Sequence, residues 1–521
     1  MSTLSPESAT PVRAGEVDQS AISMLVPGFV LLFLLAAIPI VSSKIPPLGN
    51  YVNHLGRMHV IAVDGHDPML ARFYDVRWSL IPNLAMDLFV PPLAKIVGVY
   101  WAGKIFVLSA FALILIGAQA IHWSLFRRAS LGPLVAVLFV YSEITSLGHL
   151  NYLFGIGVAL CGTASWIGLR GFSPGLRFSV SLCVVLALFL CHLSALGLYG
   201  VAVAAFELWH CFAQRPDRRM LPIDLAVFGV PFLIAALLLA AGPTGGATLG
   251  GSEWQLYSKA EGLWYVAKTY YRLYDLFTGA VIAACALWVF HRRWIRLHPA
   301  GWFVLVVAVP LYLALPFKAM SAFHVDDRLP LGVVLLLCGF LAWDLADLAR
   351  QRRFLVAIVA LALLRLAGVE AAANRVRAAV TAFDQSLEFV KPGSKIMVAQ
   401  SGGDIPVFDT LEAVPCLAII ERSSLVSIAF SHPAEQVLVV KTPYRDVSAY
   451  NEDPPGIEDL RDPPQWSAYT QSSRIYWRHW AQDYDYLYVI SASDASNPLP
   501  DRLTLLYQGP YFQLYRIRPG S

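Results

Sequence analysis

The sequence predicts a polytopic α-helical membrane protein of about 11 transmembrane helices with a C-terminal soluble α/β domain. Three observations predict it. Only 14% of the 521 residues are charged, against about 25% in ordinary soluble domains. The hydrophobic residues make up 57% of the chain, at a mean hydropathy of +0.57. They fall in separate blocks, several near the roughly 20 apolar residues that cross a bilayer. Finally, arginine pairs and triplets recur at every second block edge.

The blocks lie at 24–42, 102–123, 130–147, 150–169, 178–192, 194–212, 223–241, 275–290, 301–317, 329–346 and 354–370. Arg127-Arg128, Arg170 with Arg177, Arg215 with Arg218-Arg219, Arg292-Arg293 with Arg296, and Arg350 with Arg352-Arg353 mark the cytoplasmic turns by the positive-inside bias. An odd number of crossings then places the N-terminal tail, 1–23, in the cytoplasm and everything after 370 in the periplasm of a bacterial inner membrane. The first block follows a polar stretch with few cations, so it reads as a retained anchor rather than a cleaved signal.

Three segments on the outer side are long or charged. In 43–101, Asn50, Asn53, His54 and Arg57 recur at helical spacing, with Tyr51, Leu55, Met58 and Ala62 on another face. This predicts an amphipathic helix lying in the interface. A second helix is expected near 81–96. Segment 242–274 opens Gly-rich and continues as an aromatic, basic run, read either as an anchoring belt or as a lid over substrate. The third is KAMSAFHVDDRLP, 318–330.

The tail, 371–521, reads as a compact α/β domain after a lead-in helix at 372–390. SKIMVAQ (394–400), LAIIE (417–421), QVLVVK (436–441), YDYLYVIS (484–491) and the pair 503–508 and 511–517 are short, β-branched and aromatic runs bounded by turn residues. QGP joins the last two as a hairpin, and 442–472 is Pro- and Asp-rich loop. Six of the seven cysteines lie in apolar blocks and only Cys416 in the tail, so neither an internal tail disulfide nor a zinc site is expected. The basic residues sit at block edges and form no patch, which excludes a nucleic-acid partner.

The ionisable residues gather on the outer side, which points to a site there. VDGHDP offers Asp64 and Asp67 as a general base or as ligands for a divalent ion, or is simply a turn. In HVDDRL, Arg328 or Lys318 clamps a lipid phosphate while Asp327 holds the cation in place, or the segment is an ion-paired helix cap. His192 ends an apolar run, as a hydrogen-bonded interfacial histidine or a substrate contact. Glu143 lies inside an apolar block and needs a partner. His54 and Arg57 share a helix face that is either solvated or part of the site.

Several stretches resemble a bacterial group within the GT-C superfamily of membrane glycosyltransferases, which carries a DYPNHLAR-type element after the first span. Here that element reads Asn50-Tyr51-Val52-Asn53-His54-Leu55-Gly56-Arg57, and YDVRWSLIPNLAMDL (74–88), HLNYLFGIG (149–157), HVDDRLPL (324–331), YDYLYVI (484–490) and PDRLTLLYQGPYFQLYRI (500–517) are similar too. The resemblance implies transfer of a sugar from a polyprenyl-phosphate donor to an envelope acceptor at the outer face. A first-loop acid would act as base or metal ligand, with basic residues on the lipid phosphate. That assigns Asp64, Asp67 and His54 to catalysis and Arg57, His192, Lys318, Asp327 and Arg328 to the lipid phosphate and substrate, with a divalent ion as candidate cofactor. Where the element has Asp and Pro, this chain has Asn50 and Val52. Asn50 keeps open a non-catalytic scaffold or assembly subunit of a surface-polysaccharide system. A transporter or flippase is disfavoured, because the spans lack paired broken helices with central charges.

Overall fold

The computed structural model describes residues 19–214, 221–246, 252–319, 323–345, 347–401, 408–432, 435–449, 454–464, 475–490, 497 and 499–518. Residues 1–18 of the N-terminal tail, the Arg215–Arg219 cluster, the end of the Gly-rich run and parts of 442–472 lie outside them. The helices that build the bundle and its loops are α1 (Gln19–Val41), α2 (Tyr51–Ala62), α3 (Pro68–Phe73), α4 (Ala85–Val97), α5 (Val99–Phe126), α6 (Leu150–Gly168), α7 (Pro174–Cys191), α8 (Leu193–Gln214), α9 (Leu221–Ala241), α10 (Leu256–Trp264), α11 (Arg272–His291), α12 (Pro299–Ala314), α13 (Arg328–Phe340) and α14 (Leu348–Ser386). Among the described residues eight helices are long and apolar enough to cross a membrane, and α12 and α13 are shorter apolar helices. The chain is a polytopic membrane protein.

The expected span at 130–147 is not an α-helix. It is a 3₁₀ helix, Gly132–Phe139, followed by one α turn, Glu143–Ser146. Gly132 has the Trp343 indole against it, where a Cβ would come within 2.0 Å of a ring carbon. Poorly paired backbone at membrane depth survives only inside protein, where side chains satisfy its carbonyls. Arg365 of α14 does so: Nε donates to Leu138 O and Nη2 to Tyr141 O, both at 3.0 Å. Thr145 Oγ1 donates to Val140 O at 2.7 Å.

α14 runs unbroken for 39 residues, about 58 Å at 1.5 Å per residue. The last span and the expected lead-in helix are therefore one rod. It ends against a five-stranded sheet made of β2 (Lys395–Gln400), β3 (Leu425–Val426), β5 (Tyr486–Ile490), β6 (Leu503–Gly509) and β7 (Phe512–Ile517). The order is β3-β2-β5-β7-β6, with β2 parallel to β3 and β5 and the hairpin strands antiparallel.

One tail expectation is corrected and another is met. LAIIE forms a helix, Leu417–Arg422, whose Ile419 packs on Gly56 of α2. A four-residue apolar run has no period that separates helix from strand, and this one is settled by the surface it meets. The 436–441 run does form a strand, β4 (Leu438–Val440), but it pairs with β1 (Tyr74–Val76) of the first loop and not with the sheet.

That pairing helps bury α2, which is expected to lie in the interface. Every residue from Tyr51 to Met58 is buried, held between the bundle and the C-terminal region. Asn53 is the clamp. Its Nδ2 donates to Ile428 O and its Oδ1 accepts the Phe430 amide, each at 2.7 Å. Lys44 adds an ion pair to Asp384 and another to Glu421, both at 2.9 Å.

Candidate functional site

α2, the start of α6, the α7–α8 turn and the start of α13 meet at the loop-bearing end of the bundle and bring His54, His149, His192, His324, Asp327 and Arg328 into one polar cluster. The backbone geometry that allows this is tight. Gly148 has φ +78, and a Cβ there would sit 1.6 Å from Gly49 O, so only glycine lets the 142–149 turn press against the start of α2. His149 then caps α6 beside His54, with its Nε2 buried and without a partner. Burial, then the positive field of Arg57, pushes the His54 imidazole well below its usual pKa. Burial, then Arg328, does the same to His149. Both rings are neutral at pH 7.

Arg328 is the cation at the centre. Its Nη2 donates to Phe323 O at 3.0 Å, its carbonyl accepts from Tyr152 Oη at 2.6 Å, and Nε is buried with no partner. Its Nη1 lies 3.4 Å from His192 Nε2. His192 Nδ1 accepts the Ser194 amide at 3.1 Å, so a neutral His192 carries its proton on Nε2. Two N–H donors therefore face each other, and their shared neighbourhood suits an anionic oxygen.

Asp327 completes the site. Its Oδ2 takes His324 Nδ1 at 2.9 Å, while Oδ1 is buried and unpartnered. The preceding Asp326 is an anchor. Its Oδ2 accepts Lys259 Nζ at 2.6 Å and Ser258 Oγ at 2.9 Å, which ties α10 to the start of α13. Glu143 finds its partner in the same aromatic, basic run, at Lys268 Nζ, 2.5 Å away. Along that run Leu256 and Tyr257 are exposed, whereas Lys259 points inward to Asp326.

The chain superposes on the crystal structure of ArnT from Cupriavidus metallidurans bound to undecaprenyl phosphate, with a TM-score of 0.50 and 10% identity over 96% of this chain and 98% of that one. The apo structure of the same protein gives a TM-score of 0.49 at 11% identity, over 95% and 98%. No protein-family model and no curated protein sequence matches the chain. ArnT is a GT-C glycosyltransferase. The fold is the GT-C fold.

Within the GT-C fold the sequence-predicted residues separate into two groups. His54, His192, Asp327 and Arg328 come together. Asp64 lies exposed in a turn, its carbonyl bonded by His66 Nδ1 at 2.9 Å. Asp67 caps α3, accepting the Met69 and Leu70 amides at 2.8 and 3.1 Å and Ser423 Oγ at 2.6 Å. Partial burial is the largest single influence and raises its pKa, but these hydrogen bonds and the nearby His59 together outweigh it and hold the carboxyl below its usual value. Among the described residues neither carboxylate bonds Arg328 or its histidines. No group of three or more His, Cys, Asp or Glu there is arranged to hold a metal ion.

Arg57 donates Nη2 to Asp87 Oδ2 at 2.9 Å, with both side chains 1% exposed. Lys318 reaches Glu253 at 3.4 Å on the rim. His149 and His324 were visible in the sequence as outer-side ionisable residues. Their flanking HLNY and FHVDDR stretches were the only signal that they belong to the site.

Proposed function

We propose that this chain transfers a sugar from a polyprenyl-phosphate donor to an envelope acceptor at the outer face of a bacterial inner membrane, with the N-terminus cytoplasmic and residues 371–521 periplasmic. The observation that carries the reading is the facing pair of donors, Arg328 Nη1 and His192 Nε2, beside an unpartnered Arg328 Nε. A phosphate oxygen accepts from both. As the bond from anomeric carbon to phosphate oxygen breaks, charge builds on that phosphate, and prearranged donors stabilise it.

The acceptor hydroxyl needs a base. His54 Nδ1 and His149 Nε2 are buried, unpartnered and neutral, so either imidazole can take that proton as the new carbon–oxygen bond forms. Asp327 holds His324 beside Arg328 and fixes the mouth of the site. Arg57 acts through α2, by holding the helix that carries His54 against α4. Lys318 is the rim cation that a donor headgroup meets on approach.

A transfer assay in membrane vesicles with labelled polyprenyl-phosphate sugar tests this. Arg328→Ala is expected to lower kcat by roughly 10²–10³, the effect of removing a donor aimed at developing charge. Full transfer by an Arg328→Ala, His192→Ala double variant sinks the mechanism. An Asp64→Ala, Asp67→Ala variant distinguishes a carboxylate base from an imidazole base, since retained transfer assigns the proton to an imidazole.

A non-catalytic assembly subunit of an envelope polysaccharide system is the second reading. Asn50 favours it, standing where the resembling group has an acid and adopting φ 55 with no side-chain cap. Absence of transfer by the wild-type protein, with recovery of a stable envelope complex free of lipid-linked sugar, would select that reading.

A further inference from the structure

A cavity of about 340 Å³ lies between the C-terminal end of α1, the first turns of α5 and the last turns of α14, and shares no residue with the Arg328 cluster. Its wall carries three cations, Lys44, Lys104 and Arg377, against one carboxylate, Asp384. Two of the cations are answered. Lys44 pairs with Asp384 and Glu421, and Arg377 Nη2 lies 3.3 Å from Glu370 Oε1 and donates to Ser42 Oγ at 3.1 Å. Lys104 is different. It is 5% exposed, and its ammonium donates to Ser43 O at 2.5 Å and lies 4.7 Å from the centre of the Trp101 ring. Among the described residues it forms no ion pair. An ammonium has three donors, and a buried one without an anion is costly.

The cavity lies at headgroup level. α5 spans 28 residues, about 42 Å, so its first turns extend past the roughly 30 Å hydrocarbon core. Beside the cavity, Ile38 and Val41 of α1 and Trp101 of α5 are 45%, 40% and 52% exposed, an apolar flank for acyl chains. We propose that this cavity binds the phosphate of an anionic phospholipid. The Lys104 ammonium and the Ser43–Lys44 corner receive the headgroup, and the chains lie along α1 and α5. Basic pockets between membrane helices recognise lipid headgroups in this way. The bound lipid ties α1, α5 and α14 together where the C-terminal region begins.

The full-length protein, purified in a neutral detergent, is titrated with phosphatidylglycerol, phosphatidylcholine or inorganic phosphate while thermal unfolding and lipid retention in native mass spectra are followed. Phosphatidylglycerol is expected to raise Tm and remain bound. Phosphatidylcholine and inorganic phosphate are expected to do neither. Lys104→Met should weaken phosphatidylglycerol binding about tenfold, the scale of one charge-assisted hydrogen bond. Arg377→Gln, on a half-exposed wall residue, should weaken it less and provides the readout if Lys104→Met does not fold. An equal response to phosphatidylcholine or to inorganic phosphate overturns the proposal. So does undiminished phosphatidylglycerol binding by both variants.

Discussion

Arg57 and Asp87 show how a residue chosen for its charge can act through its partner. Both side chains are 1% exposed, and Arg57 Nε and Asp87 Oδ1 have no further partner. Removing one member leaves a buried uncompensated charge, which typically costs about 3–5 kcal/mol. Arg57→Ala is therefore expected to lower the stability of the detergent-purified protein by that amount. An Arg57→Met, Asp87→Leu pair should recover most of it. Thermal unfolding of both variants checks this, and equal losses would remove the ion pair as the cause. Asp67 makes a related point. Asp-Pro and Asp-Gly were legible as turn chemistry, and a capping role bonded to Ser423 explains the carboxylate without substrate.

α2 is the element on which the molecule is organised. One side meets α4 and α5, the other meets the Leu417–Arg422 helix, and its polar residues each take a separate neighbour. Asn53 serves Ile428 and Phe430, Arg57 serves Asp87, and His54 faces the cluster. Asn53→Ala orphans two buried backbone groups at about 1–3 kcal/mol each. Limited proteolysis should then cut the 425–449 stretch sooner, while the bundle helices stay protected. Unchanged cleavage would show that β1–β4 pairing alone holds the interface. The amphipathic pattern placed this helix correctly to within a residue but could not show that its polar face is buried. That pattern is the same whether the face meets water or protein.

For the whole molecule, the histidines set a pH dependence. His54 and His149 titrate well below 6.5 when folded, because burial and nearby guanidinium groups disfavour the charged ring. In the unfolded chain they titrate near 6.5. Above that pH neither state binds the proton and they contribute no slope. Below it the unfolded state binds more protons, so stability falls as pH falls, by up to about 1.4 kcal/mol per pH unit for each ring. Tm is expected to decline from pH 7 to pH 5, and less steeply in a His54→Gln, His149→Gln variant. An identical slope in the variant would move the effect to other groups.

Composition and block spacing were enough to establish a polytopic membrane protein, because the bilayer imposes length and hydropathy locally. Strands such as 486–490 and the 503–517 hairpin were legible because turn residues bound short β-branched and aromatic runs. What sequence could not supply was set by contacts between distant segments. The 3₁₀ helix at 132–139 depends on Arg365, more than 220 residues away. The helix at 417–422 depends on Gly56, and β4 takes its partner from the first loop. The site followed the same division. Arg328, His192, His54 and Asp327 could be named from their sidedness, but only the packing of four separate segments showed that they meet, and that Asp64 and Asp67 lie elsewhere.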